Sequence, residues 1–526
     1  MQNTTHSADG NTEFTIRVKK STKPTVSTTM SNFDKWVADT DCLDAKPHQR
    51  AGVEWCLKNE LSKKPVQGVR GGLVADEMGL GKTYTMIGVI VSNRLKRTLI
   101  VLPLALLGQW DRHIRKTTDI TPVVFHGQER FRISEFQLKT APVVLTTYDV
   151  ISGGSTPLHQ LQWSRVMFDE AHHLRNIQTS RYYGSRAIKS DIRWLITGTP
   201  IQNRRDDFYA LCYMMGLKSQ YYTKTANLKE IARNFILKRT KEQVGINLPE
   251  KREKVIIVPW GSKEERRISE DLHASLAFTG AQFNGRKKNG AVSRMNQFPL
   301  PLMLRARQTC VMPRLIRTAV CELDSEDATS QDLNDDKLFA TAMGSSSKID
   351  GVLGILKNRK DNNRSKLVFC HFREEIDIVC ERATAEGMSV ASFDGRTPKD
   401  ERERLLQSNI DVLVLQIQTG CEGLNLQQFK EVYFVSPTWN PAIEDQAVAR
   451  SHRIGQTEPV DVFRFVMEGF NDSSITLDSH VRNIQIQKRT QANMLDVVCQ
   501  IKKKKTDKKQ NNEIIAKKTA AASAEP

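Results

Sequence analysis

The run DEMGLGKT at 76–83 carries Gly79, Gly81, Lys82 and Thr83 at the spacing of a loop that can grip a nucleoside triphosphate. Glycines let backbone N–H groups close on phosphate oxygens, the lysine neutralises the β- and γ-phosphates, and the threonine hydroxyl can hold magnesium. The apolar run GGLVA at 71–75 precedes the loop and YTMIGVIV at 84–91 continues it as a helix, a strand–turn–helix setting. The strict pattern G-x-x-x-x-G-K-[ST] wants glycine where this chain has Asp76. On that pattern alone an ordinary glycine-rich βα turn reads equally well.

A second group is DEAH at 169–172, directly after the apolar run RVMF. Asp169 would hold a metal, usually through a water, and Glu170 would orient or deprotonate an attacking water. Taken alone, an acidic pair after a strand is ordinarily a solvated turn. Its place about 90 residues after the glycine loop suits one α/β lobe. A third group is QAVARSHRIGQ at 446–456, where Arg450 and Arg453 stand three apart and are expected on one helix face, aimed at one anion. Alone, it reads as a surface helix with two arginines. Supplied across a cleft to a γ-phosphate, such arginines contribute on the order of 10³ to 10⁵ in rate.

These groups need scaffolds. Short β-rich runs at 98–103, 143–148, 166–170 and 194–200 alternate with longer mixed segments, the rhythm of a parallel α/β sheet. A second series lies at 366–372, 388–395, 411–417, 431–437 and 460–466. Between them, 205–325 mixes charged and apolar residues at helical spacing with few strand-like runs. The expected organisation is a flexible arm at 1–32, a first lobe at 33–204, a largely helical insertion at 205–325, an acidic linker at 326–344, a second lobe at 345–495 and a basic tail at 496–526.

The chain has 526 residues, more than one hydrophobic core normally supports. Net charge is +18, and the tail from Lys502 holds eight lysines against three acids, so the excess is not confined to the tail. That balance favours a polyanion, a solvated basic surface being the bland reading. Nine scattered cysteines without a C-x-x-C pair argue against zinc fingers and RING modules and fit reduced thiols inside a cell. The absence of an apolar run near 18 residues argues for a soluble chain without a membrane partner.

The three groups occur in order with KPHQRAGVEW at 46–55, LIVLPLALLGQW at 99–110, TTYD at 146–149, LITGTPIQN at 195–203, FDGRTPKDERERLLQ at 393–407, GLNL at 423–426 and SPTWNPAIEDQAVARSHRIGQ at 436–456. With them, the chain over about 35–490 resembles the Swi/Snf-like ATPases of helicase superfamily two. Within that family Asp76 is the expected residue ahead of the loop. The last of these runs is most similar to the subgroup of RING-bearing repair translocases and polymerase-releasing termination factors, here without the RING.

The resemblance implies an α/β fold of two RecA-like lobes with ATP and magnesium between them, and an ATP-driven translocase on double-stranded DNA. It implies that Gln49 contacts the adenine edge and that Asp76, Glu77, Met78, Gly79, Leu80, Gly81, Lys82 and Thr83 form the nucleotide loop. Thr83 and Asp169 would serve the metal, Glu170 the water, and Arg450 and Arg453 the closed site. Thr197 to Pro200 would couple hydrolysis to lobe movement, and Thr146, Thr147 and Asn425 would touch the DNA backbone. It further implies a monomer or recruited subunit that displaces a DNA-bound protein or polymerase, in the nucleus or another DNA-containing compartment such as a viral replication site. Strand separation and a non-catalytic DNA-binding scaffold are the alternatives.

The chain departs from the family pattern at Thr419, Gly420, Cys421 and Glu422, where relatives read Ala-Gly-Gly before the GLNL motif, and at Ala171. Other features have bland readings. His172, His173, Cys370 and His371 lack metal-ligand spacing. IKKKKTDKKQ at 501–510 is an import signal, a DNA-gripping tail or a solvated one. Arg305, Arg307, Arg314 and Arg317 suit phosphate contact or helix-surface ion pairs equally.

Overall fold

The computed structural model describes residues 24–41, 43–200, 205–274, 276, 299–317, 341–398, 401, 404–405, 408–420, 426–471 and 474–490. The basic tail, the acidic linker up to residue 340 and Asn425 lie outside the described residues. The first sheet comprises β1 (Gly71–Val74), β2 (Thr98–Leu102), β3 (Val123–Phe125), β4 (Val143–Thr147), β5 (Gln162–Asp169), β6 (Lys189–Ile196) and β7 (Ile236–Leu237), in the order β3-β4-β2-β5-β6-β1-β7. The second comprises β8 (Lys251–Val258), β9 (Ser365–Cys370), β10 (Val390–Phe393), β11 (Val412–Gln416), β12 (Phe429–Phe434) and β13 (Val460–Met467), in the order β10-β11-β9-β12-β13-β8. Every ladder in both sheets is parallel.

Parallel strands covered on both faces read as continuous apolar runs. In β2, Leu99 and Val101 enter the core on one face while Ile100 and Leu102 enter the core on the other. In β9, Val368 and Cys370 face one core, Leu367 and Phe369 the opposite one. Because the neighbours β5, β6 and β1 run parallel, their carboxyl ends lie on one side of the sheet, where their following loops meet.

Two findings differ from the sequence expectations. Order begins before Phe33: helix α1 (Val26–Ala38) is capped by Thr25, whose hydroxyl and that of Thr28 each accept the other's backbone N–H, at 3.2 and 2.9 Å. Its Met30, Phe33 and Trp36 recur at helical spacing and are buried. The stretch at 205–325 is not separate from the sheets: β7 completes the first and β8 the edge of the second. Strand β8, KREKVIIV, escapes a periodicity reading because most of its side chains face solvent at that edge, where charge protects against strand pairing.

Helix α2 (Pro47–Glu60) is fixed by a buried polar knot. Glu60 accepts from Arg165 Nε at 2.7 Å and Nη2 at 2.6 Å, from Trp194 Nε1 at 2.8 Å and from Asn93 Nδ2 at 2.7 Å. A buried carboxylate with four such donors holds one geometry, and this one sets the register of α2, which carries Gln49, against the sheet. No helix among the described residues is long and apolar enough to cross a membrane.

Candidate active site

Strand β1 ends in a tight loop that turns into helix α3 (Lys82–Ser92). Gly79 and Gly81 have φ of +90° and +76°, backbone that side chains resist. A Cβ on Gly81 would stand 2.2 Å from Gln49 Nε2, so a larger residue there would push the Gln49 side chain aside. Gln49 is held between the start of its own helix and the loop: its Oε1 accepts from Lys46 N at 3.0 Å and its Nε2 donates to the Leu80 carbonyl at 3.4 Å. Lys82 Nζ donates to the carbonyl of Asp76 at 2.9 Å. Burial lowers its pKa, opposed by the charges of Glu170, Asp76 and Asp169. Leu80 is buried, while Glu77, Met78 and Thr83 are half-buried along the loop and first turn.

Asp76 has its own partner. It is buried and receives the guanidinium of Arg239 in a two-point ion pair, Nε to Oδ1 at 3.0 Å and Nη2 to Oδ2. Backbone bonds from Ala75 N to the Leu237 carbonyl, 2.7 Å, and from Glu77 N to the Arg239 carbonyl, 2.9 Å, extend the β1–β7 pairing past the strands. Sequence reasoning named neither Arg239 nor this pairing; the only signal was a basic run, LKRTK at 237–241, after two apolar residues.

At the end of β5, Asp169 Oδ2 accepts the indole N–H of Trp110, 2.7 Å away on helix α4 (Leu104–Thr117), and Oδ1 accepts Glu170 N at 2.9 Å. Burial, and then the Glu170 charge, raise the Asp169 pKa. Glu170 is buried with φ +47° and ψ +49°, a left-handed conformation that costs on the order of 1–2 kcal/mol outside glycine. Its Oε2 has no well-directed hydrogen bond and faces His172 Nδ1 at 3.2 Å. Burial works to raise its pKa, but His172 and the charges of Lys82 and Arg450 outweigh that and hold it low. His172 Nδ1 also lies 3.4 Å from Thr197 Oγ1, and Thr197 Oγ1 accepts Thr199 N at 3.1 Å. The loop after β6 is thereby joined to the acidic pair.

From the second lobe, the helix Pro441–Ser451 opens on Asn440, whose Oδ1 accepts Ala442 N at 3.2 Å. Arg450 lies in its last turn. Arg453 does not share that helix face, contrary to expectation: the helix closes at Ser451 with His452 as its cap, and the chain turns through Gly455 at φ +96°. The turn nonetheless carries Arg453 to the phosphate loop, its Cβ 3.6 Å from where a Cβ on Gly79 would be. The Arg450 charge acts on both Lys82 and Glu170. The glycine loop, the acidic pair and the two arginines therefore share one cleft.

Thr146 and Thr147 lie differently from the expected backbone contacts. Both are buried; Thr146 Oγ1 donates to the Phe125 carbonyl at 2.9 Å and Thr147 Oγ1 lies 3.2 Å from His126 Nδ1. Their hydroxyls are spent inside the lobe because β4 lies between β3 and β2 and is buried along its whole length. Of the arginine cluster, Arg314 pairs with Glu374 at 2.6 Å and Arg307 reaches the Pro437 carbonyl and the His371 ring.

The donors fit the cofactors expected. Thr83 and Asp169 offer hard oxygens suited to magnesium, and the cationic groups around the loop suit a triphosphate.

Residues 48–221 match the SNF2-related domain and 347–455 the helicase conserved C-terminal domain. The chain is 29% identical to a probable global transactivator of Orgyia pseudotsugata multicapsid polyhedrosis virus, over 86% of this chain and 92% of that one. It is 27% identical to the putative ATP-dependent helicase/translocase YwqA of Bacillus subtilis, covering 82% of this chain but 47% of the relative. It is 28% identical to the DNA excision repair protein ERCC-6-like of Bos taurus, covering 78% and 39%. The Sulfolobus solfataricus SWI2/SNF2 ATPase core in complex with dsDNA aligns over 87% of this chain and 94% of its own, at 23% identity and a TM-score of 0.38. Two domain models in the right order, over lobes whose motifs converge on one cleft, identify the chain as a member of the Swi/Snf-like ATPases of helicase superfamily two.

Proposed function

We propose that this chain is an ATP-driven translocase on double-stranded DNA that remodels or displaces bound proteins. The observation that carries the reading is the meeting of Lys82, Glu170 and Arg450, from two lobes, within mutual electrostatic range. Lys82 would leave the Asp76 carbonyl for phosphate oxygens. Glu170, kept ionised by its surroundings and fixed by its backbone, would position a water in line with the γ-phosphate. Arg450 and Arg453 would stabilise charge developing on the transferred group only while the lobes are closed. When bound, magnesium, held by Thr83 and Asp169, would neutralise phosphate charge and orient the leaving oxygens.

Because the arginines ride on the second lobe, hydrolysis and lobe movement are one event, the requirement for stepping. The excess positive charge favours a polyanionic track, and the names of several relatives carry the words helicase or DNA. The DNA contacts assigned to Thr146 and Thr147 would fall to their neighbourhood rather than to their buried hydroxyls, with Asn425 contributing from the second lobe. A compartment holding DNA, nuclear or viral, is the expected location.

The test compares ATP hydrolysis without nucleic acid and with single-stranded DNA, duplex DNA and RNA. Duplex DNA should stimulate most, and Lys82→Ala and Glu170→Gln should abolish turnover. Either variant hydrolysing ATP normally would sink the assignment. Release of a third strand from a triplex, without separation of a simple duplex, distinguishes tracking from unwinding.

A further inference from the structure

The connector 238–250 between β7 and β8 passes the ATP cleft and touches both sides of it. On the first-lobe side, Lys241 N donates to Glu77 Oε2 at 2.8 Å and Lys241 Nζ lies 3.2 Å from Glu77 Oε1. On the second-lobe side, the same Nζ donates to the His452 carbonyl at 3.4 Å, at the carboxyl end of the helix Pro441–Ser451. Eight residues on, the Pro249 carbonyl accepts His452 Nε2–H at 2.7 Å. Gly79 fills the centre: a Cβ there would meet Lys241 Cε at 3.4 Å and Arg453 Cβ at 3.6 Å. Phosphate loop, connector and arginine turn are thus in contact at one bare backbone position.

We propose that Lys241 is a positioning residue of the ATP site, a clasp between Glu77 and the end of the arginine-bearing helix that sets where Arg450 and Arg453 stand. The inference rests on the ATPase reading of the cleft and adds a residue that reading does not contain. A helix's carboxyl end carries partial negative charge from unpaired carbonyls, and a lysine in its last turn or cap is attracted to it. Lys241 satisfies that end and a carboxylate at once, with its own side chain 12% exposed against 41% for Glu77, so the ammonium is largely withdrawn from solvent while the carboxylate keeps a hydrated face. It has a second consequence. Glu77 flanks the loop that would receive a triphosphate, and Lys241 cancels its charge there.

Removing the ammonium should therefore do two separable things. Arg450 and Arg453 lose register, lowering kcat, and Glu77 is left uncompensated, raising KM for ATP. In Lys241→Met, kcat on saturating duplex DNA is expected to fall about 10- to 100-fold, the scale on which small misplacements of reacting groups act. Lys241→Arg should recover most of it. Glu77→Gln should restore KM in the Lys241→Met background while leaving kcat low. A readout independent of turnover is small-angle scattering with ADP and beryllium fluoride: the wild-type chain should contract on binding and Lys241→Met should contract less. Far-ultraviolet circular dichroism and thermal melting check that the variants fold, and Glu77→Gln alone probes the clasp should Lys241→Met not fold. Wild-type kcat, KM and contraction in Lys241→Met, or no recovery with arginine, overturn the clasp. A wild-type chain that fails to hydrolyse ATP with DNA overturns the ATPase reading instead.

Discussion

Trp110 donates its indole N–H to Asp169 Oδ2 across 2.7 Å, joining the buried face of α4 to the carboxylate expected to serve magnesium. Outer donors of this kind fix which carboxylate lone pairs remain for a metal, and their loss typically costs about 10- to 100-fold in affinity or activity. Trp110→Phe keeps an aromatic ring in the core but removes the donor. The magnesium concentration giving half-maximal ATP hydrolysis should rise by about that factor, measured by titrating the metal at fixed ATP. An unchanged magnesium dependence refutes the role.

Placing glycine at position 76 makes the loop match the strict phosphate-loop pattern, yet it should harm this protein. Asp76 is the buried partner of Arg239, and removing one member of such a pair leaves an uncompensated charge at a cost of about 3–5 kcal/mol. Asp76→Gly should lower the first lobe's unfolding midpoint in urea. Adding Arg239→Met should recover part of the loss, a non-additivity that two independent sites would not produce.

Acid should weaken the second lobe through His273. Its Nδ1 donates to the Ser269 carbonyl at 2.6 Å, its Nε2 accepts Leu477 N at 2.9 Å, and burial pushes its pKa down to about 4 from 6.5. Between those values the unfolded chain binds a proton that the folded chain refuses. Stability present above about pH 6.5 is therefore lost as pH falls towards 4, by roughly 3 kcal/mol across the window. Thermal melting at pH 7.5, 6 and 5 should show a steeper decline for wild type than for His273→Gln, and equal declines would count against the assignment.

Gly81→Ala tests the fit between loop and α2. The backbone there is left-handed, and the added carbon would displace Gln49 Nε2. KM for ATP should rise about tenfold or more, equivalent to about 1.4 kcal/mol. Gln49→Ala in the same background should then add little, since Gln49 has already been moved.

The strands that position the site were legible because their side chains are buried on both faces. VVLTT and TLIVL can be read without a partner in view. Less legible was whatever depends on residues distant in sequence. Nothing local in LKRTK announces that Arg239 belongs to Asp76, 163 residues earlier. Thr146 and Thr147 looked available on motif grounds, but the depth of β4 in the sheet is a tertiary fact. The spacing of Arg450 and Arg453 suggested a shared helical face, whereas the cap at His452 delivers them by different backbone routes to the same place.

Among the described strands the chain passes from first sheet to second once, through residues 238–250, and that short tether has a mechanical meaning. Fully extended, it spans at most about 45 Å, so the arginines remain at high effective concentration beside the triphosphate loop however far the lobes swing. On the proposed cycle, re-engagement after each opening would be an intramolecular recapture on a leash, and the length of the leash would put a ceiling on the stroke.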